Sequence, residues 1–454
     1  MQAKETAFAP IYDLVGPRPL IVGLGASGLS CAKFFASLAL PVAVKDEQQT
    51  PRLLAQLSQR VADVDFQTGS VDEQDLDRWS CFVVSPGVAA DQPVYQMARQ
   101  RGIPVIGDVE LFALLATAPI VAVTGSNGKS TIVSWLAHIA QGAFDDVRLG
   151  GNIGTPVLDL ITEKEPDLYI LELSSFQLET TQSLKPVVAL IANLSEDHLD
   201  RHGSMAAYAE IKQRLYRQAE QVVVNRDDQP VAELAAGHKN CVSYSVSRSD
   251  VDYGIRDTML QARGQDILPL NQLSLAGLHN ASNALACAAM CEALGISLAV
   301  IQHGLRSFSG LPHRFQLVSE KNGIRWINDS KATNVGACLS ALVNVIQNSD
   351  DQKVVLIAGG LAKGASFADL LPVLKQNCRA LVLMGRDAGR MARELSCGFP
   401  VVFASDMASA VTAAKGKAKP GDTVLLAPAC ASFDLFAGYQ DRGEQFVHAV
   451  EAMA

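Results

Sequence analysis

Between residues 121 and 131 the chain reads Val-Ala-Val-Thr-Gly-Ser-Asn-Gly-Lys-Ser-Thr. A β-branched apolar run enters a loop bracketed by Gly125 and Gly128. Lys129, Ser130 and Thr131 then open an apolar segment of helical character, residues 132–140. This is a strand, an anion-wrapping loop and a helix N-terminus in series. The glycines let backbone N–H groups turn toward an anion, and the helix dipole adds favourable potential. Lys129 is placed to neutralise β- and γ-phosphate oxygens, and Ser130 to offer a hydroxyl to Mg²⁺. Only Ser126 and Asn127 separate the two glycines, where the usual loop of this kind has four residues. The shortened spacing narrows the choice of family.

A chain of 454 residues predicts about three domains. The formal net charge of −9 argues against a general nucleic-acid binder, which carries a basic balance. Nine cysteines are scattered with no Cys-x-x-Cys pair. Cys287 and Cys291, one turn apart in an Ala-rich stretch, read as small core residues, and the pattern fits a reducing compartment. Neither a secretory leader nor a membrane-spanning run is evident, so the expectation is a cytoplasmic protein without membrane insertion.

Alternating strand and helix signals give the fold class α/β with parallel sheets. Residues 20–25 form a strand and turn, 29–39 a helix, 42–45 and 81–84 further strands. A second unit opens at Asp108 with a predicted helix at 109–117, then the phosphate-loop strand, then apolar strands at 168–172, 187–193 and 221–225. Residues 240–272 are expected to hold short antiparallel strands, and 280–294 a helix. Past the punctuation Gly310-Leu-Pro-His-Arg314, strands recur at 324–328, 353–358, 380–384, 401–403 and 423–427.

Gly23-Leu-Gly-Ala-Ser-Gly28 follows a strand, and Asp46 ends the next one. Taken alone this pattern allows an NAD-dependent oxidoreductase, a tight packing turn, or a site for another nucleotide diphosphate. Glu172 at a strand C-terminus near a phosphate loop is a candidate Mg²⁺ ligand. Asp197 and His198 are candidate metal or water ligands. Lys212, on a predicted helix over residues 205–219, reads by composition as a solvated surface lysine. The polar clusters 328–334, 358–364 and 427–434 follow strands and suggest substrate loops, with Ser432 expected to open a helix N-terminus.

In this order, Thr124-Gly-Ser-Asn-Gly-Lys-Ser-Thr131, Glu172, Asp197-His198, Gly277-Leu-His-Asn280 with Asn283, Pro312-His-Arg314 and Asp329-Ser-Lys331 resemble the Mur ligase family over nearly the whole chain. The resemblance implies three domains: a Rossmann-like N-terminal domain holding a UDP-sugar (1–107), a central P-loop-type mononucleotide-binding parallel sheet (108–310), and a C-terminal Rossmann-like domain (311–454). The Gly23–Gly28 start, Ser85-Pro-Gly87, Gly151-Asn-Ile-Gly154, residues 328–334 and Ala429-Cys-Ala-Ser-Phe-Asp434 match the branch that joins D-glutamate to UDP-N-acetylmuramoyl-L-alanine. Leu361 stands where the glycine-rich loop of the family often carries an acidic residue.

The implied reaction is ATP-dependent, ADP-forming amide ligation through an acyl phosphate, in peptidoglycan precursor synthesis. Lys129, Glu172, His198 and Lys212 would be catalytic. Ser130 and Glu172 would hold one Mg²⁺, and His198 with a carbamylated Lys212 a second. Gly125, Ser126, Asn127, Gly128, Lys129, Ser130 and Thr131 would wrap the phosphates of ATP. His279, Asn280 and Asn283 would line the adenine, and Arg314 and Asp329 would reach the nucleotide. Ala26, Ser27, Asp46, Glu47, Ser85 and Asn152 would meet the UDP substrate. Thr333, Lys363, Ser432, Phe433 and Tyr439 would receive D-glutamate. A monomer without nucleic-acid partners is implied. Rival readings are a sister ligase adding another amino acid, a folylpolyglutamate synthase, an NAD-dependent oxidoreductase and a non-enzymatic nucleotide-binding regulator.

Overall fold

A computed structural model describes residues 2–346, 353–362, 364–395 and 398–453, with side chains from residue 8 onward. The chain forms two compact units: residues 1–194, 201–272 and 283–306 make the first, and residues 195–200, 273–282 and 307–454 the second.

The first unit holds two sheets. Its five-stranded sheet is parallel, in the order Asp65–Thr68, Ala43–Asp46, Pro19–Val22, Cys81–Val84, Val105–Ile106. The nine-stranded sheet runs Gln265–Pro269, Met259–Ala262, Tyr253–Arg256, Cys241–Tyr244, Gln221–Asn225, Val188–Ile191, Ile120–Thr124, Leu168–Glu172, Val147–Gly151. Ile120–Thr124 and Leu168–Glu172 are buried along their whole length, as central parallel strands covered on both faces must be. Val188–Ile191 and Leu168–Glu172 flank the phosphate-loop strand, so the loops leaving these strands start side by side.

One continuous apolar core runs from Ile11 and Phe35 through Phe112 to Leu158, Leu171 and Leu215. Polar contacts reinforce it: Ser27 Oγ donates to Asp108 at 2.7 Å, and Ser30 and Lys33 both reach Asp159 at 2.8 Å. These contacts explain why the first two sheets form one unit.

Several sequence expectations change. The strand Cys241–Tyr244 pairs in parallel with Gln221–Asn225, and only the pairings from Tyr253 to Pro269 are antiparallel. The helix expected at 109–117 spans Asp108–Ala113, and the one expected at 280–294 spans Leu278–Ala293. A helix Gln2–Val15 carries Pro10 within it and was not anticipated.

The second unit is built on a six-stranded sheet in the order Gln316–Lys321, Ile324–Asn328, Thr423–Leu426, Val354–Gly359, Cys378–Met384, Val401–Phe403. The first strand pairs antiparallel and the rest are parallel. Ile324–Asn328, Thr423–Leu426 and Val354–Gly359 are neighbours. The three candidate substrate loops therefore leave the same end of the sheet from adjacent strands. Apolar clusters cover both faces of this sheet. Among the described residues no helix is long and apolar enough to cross a membrane.

Candidate active site

The strand Ile120–Thr124 delivers the chain into Gly125 at φ +145°, and Gly128 at φ +81° caps the helix Lys129–Ala140. Both angles lie where side chains are strained. A Cβ on Gly125 would also stand 3.1 Å from Ala192, and one on Gly128 3.2 Å from Asn283 Oδ1. Asn283 therefore lies against the phosphate loop. Lys129, Ser130 and Thr131 form the first helical turn. Lys129 Nζ folds back to donate to Gly125 O at 2.8 Å and Ser126 O at 2.9 Å.

Asn193 holds this loop from the neighbouring strand end. Its Oδ1 accepts from Asn127 N at 2.8 Å, its Nδ2 donates to Asn127 O at 3.0 Å, and its carbonyl accepts from Ser126 N at 3.0 Å. The sequence reading passed over Asn193 in favour of the charged residues after it. The signal was available: a polar residue ending an apolar strand beside a phosphate loop.

Glu172 is 2% exposed. Its Oε2 accepts from Ser130 Oγ at 2.5 Å, and its Oε1 accepts from Asn152 Nδ2 at 2.7 Å. Gly151 must be glycine here, because a Cβ would stand 2.3 Å from Glu172 O. No cation among the described residues pairs with this carboxylate. A buried carboxylate without a counter-charge, joined to a hydroxyl at a phosphate loop, fits a hard oxygen-seeking cation. Mg²⁺ takes one or two carboxylates and completes its octahedron with water and phosphate oxygens.

Lys212 overturns the surface-lysine reading. It lies on the helix Met205–Gln218, but its side chain points inward and the residue is 1% exposed. Nζ donates to Thr124 Oγ1 and Gly125 O, each at 3.0 Å, and lies 4.7 Å from the centre of the Tyr208 ring. Tyr208 OH in turn meets Ser126 Oγ at 3.1 Å. At about 3.6 residues per turn, Tyr208 and Lys212, at i and i+4, share one face of the helix, so the pair was legible as a spacing though not as a site.

In the five-stranded sheet, a cavity of about 150 Å³ opens at the strand ends, lined by Gly23, Lys45, Asp46, Glu47, Ser70 and Tyr95 among others. Asp46 accepts backbone N–H bonds from Leu24 at 2.7 Å and Gln48 at 2.8 Å, so it braces the glycine loop. Gly28 allows the helix to approach: a Cβ would stand 2.1 Å from Gly23 O. Ser85 donates to Gly23 O at 2.7 Å, and Ser27 is turned to Asp108. Ala26, Ser27 and Ser85 do not line the cavity. Beside it, Lys45 and Asp75 form a buried ion pair at 2.6 Å. Burial pushes the Asp75 carboxyl up, but hydrogen bonds from Lys45, Asp72 N–H and Trp79 outweigh it and hold it below the usual carboxylate range.

In the second unit, His198 has φ +52° and Nε2 3.7 Å from Asp197 Oδ1. His279 Nε2 meets Asn344 Nδ2 at 3.2 Å, while its buried Nδ1 has no partner among the described residues. Burial lowers its pKa. Asn280 Nδ2 donates to Ala276 O at 2.9 Å. Arg314 lies between His313 and Phe315, both at positive φ. Asp329 Oδ1 accepts from Phe315 N at 3.2 Å, and burial pushes its carboxyl up to about 7, against that hydrogen bond and the charge of Arg314.

The loop after Asn328 carries Thr333, whose N–H bonds to Lys331 O at 2.7 Å. Lys331 Nζ stands 4.3 Å from the Tyr439 ring centre. Ser432 is buried, but it does not open a helix. It accepts at 2.9 Å from Phe436 N in a single turn, and the next helix starts at Tyr439. Phe433 is 71% exposed. Lys363 lies outside the described residues; the neighbouring Leu361 pairs backbone to backbone with Ala431 at 2.9 Å in both directions. Its apolar side chain is thus compatible with the loop closure, which uses main chain alone.

Family models match residues 18–107 (Mur ligase MurD-like, N-terminal domain), 123–291 (Mur ligase middle domain) and 313–430 (Mur ligase, glutamate ligase domain). A UDP-N-acetylmuramoylalanine--D-glutamate ligase of Nitrosococcus oceani is 45% identical over 97% of this chain and 98% of its own length. One from Legionella pneumophila is 42% identical over 96% and 99%. Among solved structures, UDP-N-acetylmuramate-alanine ligase of Thermotoga maritima aligns with a TM-score of 0.62 at 20% identity, covering 96% of this chain and 100% of that one. The E. coli FolC complex with DHPP and ADP aligns at 0.59 and 21%, covering 77% and 92%. These structural likenesses speak to the fold. The matched domains and the full-length relatives together establish that the chain belongs to the Mur ligase family.

Proposed function

We propose that this chain joins D-glutamate to the carboxylate of UDP-N-acetylmuramoyl-L-alanine, using ATP, in peptidoglycan precursor synthesis. The observation that carries the reading is the 42–45% identity, over nearly the whole chain, to relatives bearing that activity in their names. The phosphate loop and the uncompensated carboxylate of Glu172 support it chemically.

A carboxylate is a poor electrophile. Its oxygen attacks the γ-phosphorus of ATP, the bond to the bridging oxygen breaks, and ADP leaves. The amine of D-glutamate then attacks the acyl carbon, phosphate leaves, and the nitrogen loses a proton. Both steps bring anions together, so preorganised positive groups must meet the developing charge. Lys129, held beside the loop by Gly125 O and Ser126 O, supplies one cation to the phosphates. Ser130 and Glu172 would hold one Mg²⁺, and His198 with a carbamylated Lys212 a second; bound Mg²⁺ supplies neutralisation of phosphate charge. Carbamylation joins the neutral Lys212 amine to CO₂ with loss of a proton, turning a cation into an oxygen ligand. Its burial supports this, because burial disfavours the ammonium.

Gly125 to Thr131 would wrap the phosphates, His279, Asn280 and Asn283 would line the adenine, and Arg314 and Asp329 would contact the nucleotide. The cavity at Asp46 and Glu47, with Asn152 near Glu172, would take the UDP substrate. Thr333, Lys363, Ser432, Phe433 and Tyr439 would take D-glutamate. The corresponding domains are 1–107, 108–310 and 311–454, in a cytoplasmic monomer. Incubation with ATP, UDP-N-acetylmuramoyl-L-alanine and D-glutamate should yield the mass of the ligated product. Omitting D-glutamate and adding hydroxylamine should trap a hydroxamate of the alanyl carboxylate. Product without any trappable acyl species would refute the two-step route.

A further inference from the structure

Arg442 is among the largest fully buried side chains of the protein, 1% exposed. No carboxylate among the described residues forms an ion pair with it. All its hydrogen bonds go to two of the candidate substrate loops. Nε donates to Ser330 Oγ at 3.0 Å and Nη2 to Ser330 O at 2.8 Å. Nη1 and Nη2 both reach Cys430 O at 3.2 Å. Ser330 Oγ in turn donates a hydrogen bond to Tyr439 O at 2.8 Å. The same loops are joined by Ala429 N to Ala332 O at 2.9 Å, and the third loop pairs with them through Leu361 and Ala431. Ala429 is held at φ +58°, a conformation that persists only where its surroundings fix it.

Taking a lone guanidinium out of water is strongly unfavourable unless its surroundings compensate it. Burial pulls this one down to about 10, against the opposing influence of Cys430 and Asp434, so it stays charged at neutral pH. Carbonyl dipoles at two strand ends compensate part of the charge. A mere brace between two loops needs no full charge, because a neutral donor would serve.

We propose that Arg442 is a positioning residue for the amino-acid substrate. It locks the loops bearing Thr333 and Ser432 in one arrangement and leaves its positive charge for the two carboxylates of the incoming amino acid. The proposal rests on the assignment of these loops to D-glutamate.

The test is steady-state kinetics on the intact enzyme, varying each substrate in turn, with thermal melts of every variant. Arg442→Met should raise the KM for D-glutamate by about tenfold or more while the KM for ATP and for the UDP substrate stay within about threefold. Arg442→Lys, which keeps the charge and loses the fork, should recover much of the loss. Equal rises in all three KM values, an unchanged KM for D-glutamate in a folded Arg442→Met, or no recovery with lysine would overturn the charge role. Should Arg442→Met fail to melt cooperatively, Ser330→Ala decides: it removes the side-chain acceptor of Arg442 Nε and the donor to Tyr439 O, and an unchanged KM for D-glutamate overturns the proposal. Ser432→Ala separates the two levels. If it leaves the D-glutamate KM untouched, the loop assignment itself fails; if it raises that KM while Arg442→Met does not, only the role of Arg442 fails.

Discussion

Glu172→Gln isolates the charge of one carboxylate. Glu172 is 2% exposed and accepts two hydrogen bonds, from Ser130 Oγ and Asn152 Nδ2. Asn152 can only donate through that nitrogen, so the glutamine carbonyl oxygen will face it. The new NH₂ then faces Ser130, whose hydroxyl rotates to accept. Both bonds survive, each now between neutral groups. Bonds to a charged acceptor are worth about 1.5–3 kcal/mol against about 0.5–1.5 for neutral ones. The substitution therefore forfeits about 1–3 kcal/mol of bonding. It also removes the cost of burying an unpaired charge, which is several kcal/mol. The ligand-free protein should be as stable as the wild type or up to about 2 kcal/mol more stable, a rise in Tm of a few degrees at about 2–4 °C per kcal/mol.

With Mg²⁺ and a non-hydrolysable ATP analogue the order should reverse. A ligand at about 100 times its Kd stabilises the wild type by about 2.7 kcal/mol, and the variant should show little of that gain. Turnover should fall by about 10²–10³, the cost of losing one preorganised charge-stabilising group. Thermal melts with and without Mg²⁺ and nucleotide, with ADP release in parallel, read both arms. A ligand-free Tm lowered by more than about 5 °C, or a full Mg²⁺-dependent shift in the variant, would refute the reasoning that Glu172 awaits a metal counter-charge.

Lys129→Ala should keep binding of the UDP substrate by calorimetry and lose turnover; more than about a tenth of wild-type kcat, a barrier change of roughly 1.4 kcal/mol, would show that the loop is misassigned. Lys212→Ala should be almost inactive and partly rescued by short-chain carboxylates, whereas Lys212→Arg, which keeps a cation, should not be; equal rescue of both, or of neither, counts against the carbamate. Asp329 titrates from a reference value of 3.8 to about 7 in the folded protein. The folded state therefore binds the proton more tightly, so its stabilising contribution is complete below about pH 4 and lost as pH rises through about 7. Asp329→Asn should flatten that part of the wild-type Tm-versus-pH curve, and parallel curves for the two proteins would show that Asp329 is ionised at neutral pH.

The parallel strands were the most legible part of the fold, because burial on both faces writes itself as apolar runs such as Val121–Val123 and residues 168–171. The Gly125–Ser130 loop was legible for the same kind of reason: its backbone angles demand glycine. The hairpin joining Gln316–Lys321 to Ile324–Asn328 was missed although Asn322-Gly323, both at positive φ, is the strongest short turn signal of a hairpin. Lys212 misled because a lysine on an amphipathic helix is normally solvated, and only tertiary packing turns it inward to Thr124 and Gly125 at the end of the phosphate-loop strand. Ser432 misled because the expected helix begins later, at Tyr439. Arg442 left no local signal at all: its partners Ser330 and Cys430 come from two other strand ends, a juxtaposition that only the sheet order creates.

The central claim is that this chain activates one carboxylate with ATP for one particular amine. ADP release in the presence of ATP, Mg²⁺ and UDP-N-acetylmuramoyl-L-alanine, with D-glutamate, L-glutamate, D-aspartate, L-alanine and meso-diaminopimelate supplied in turn, tests it directly. Sustained release should require D-glutamate, with the others near background. An equal rate with L-glutamate, a preference for another amino acid, or release indifferent to any amino acid would contradict the account.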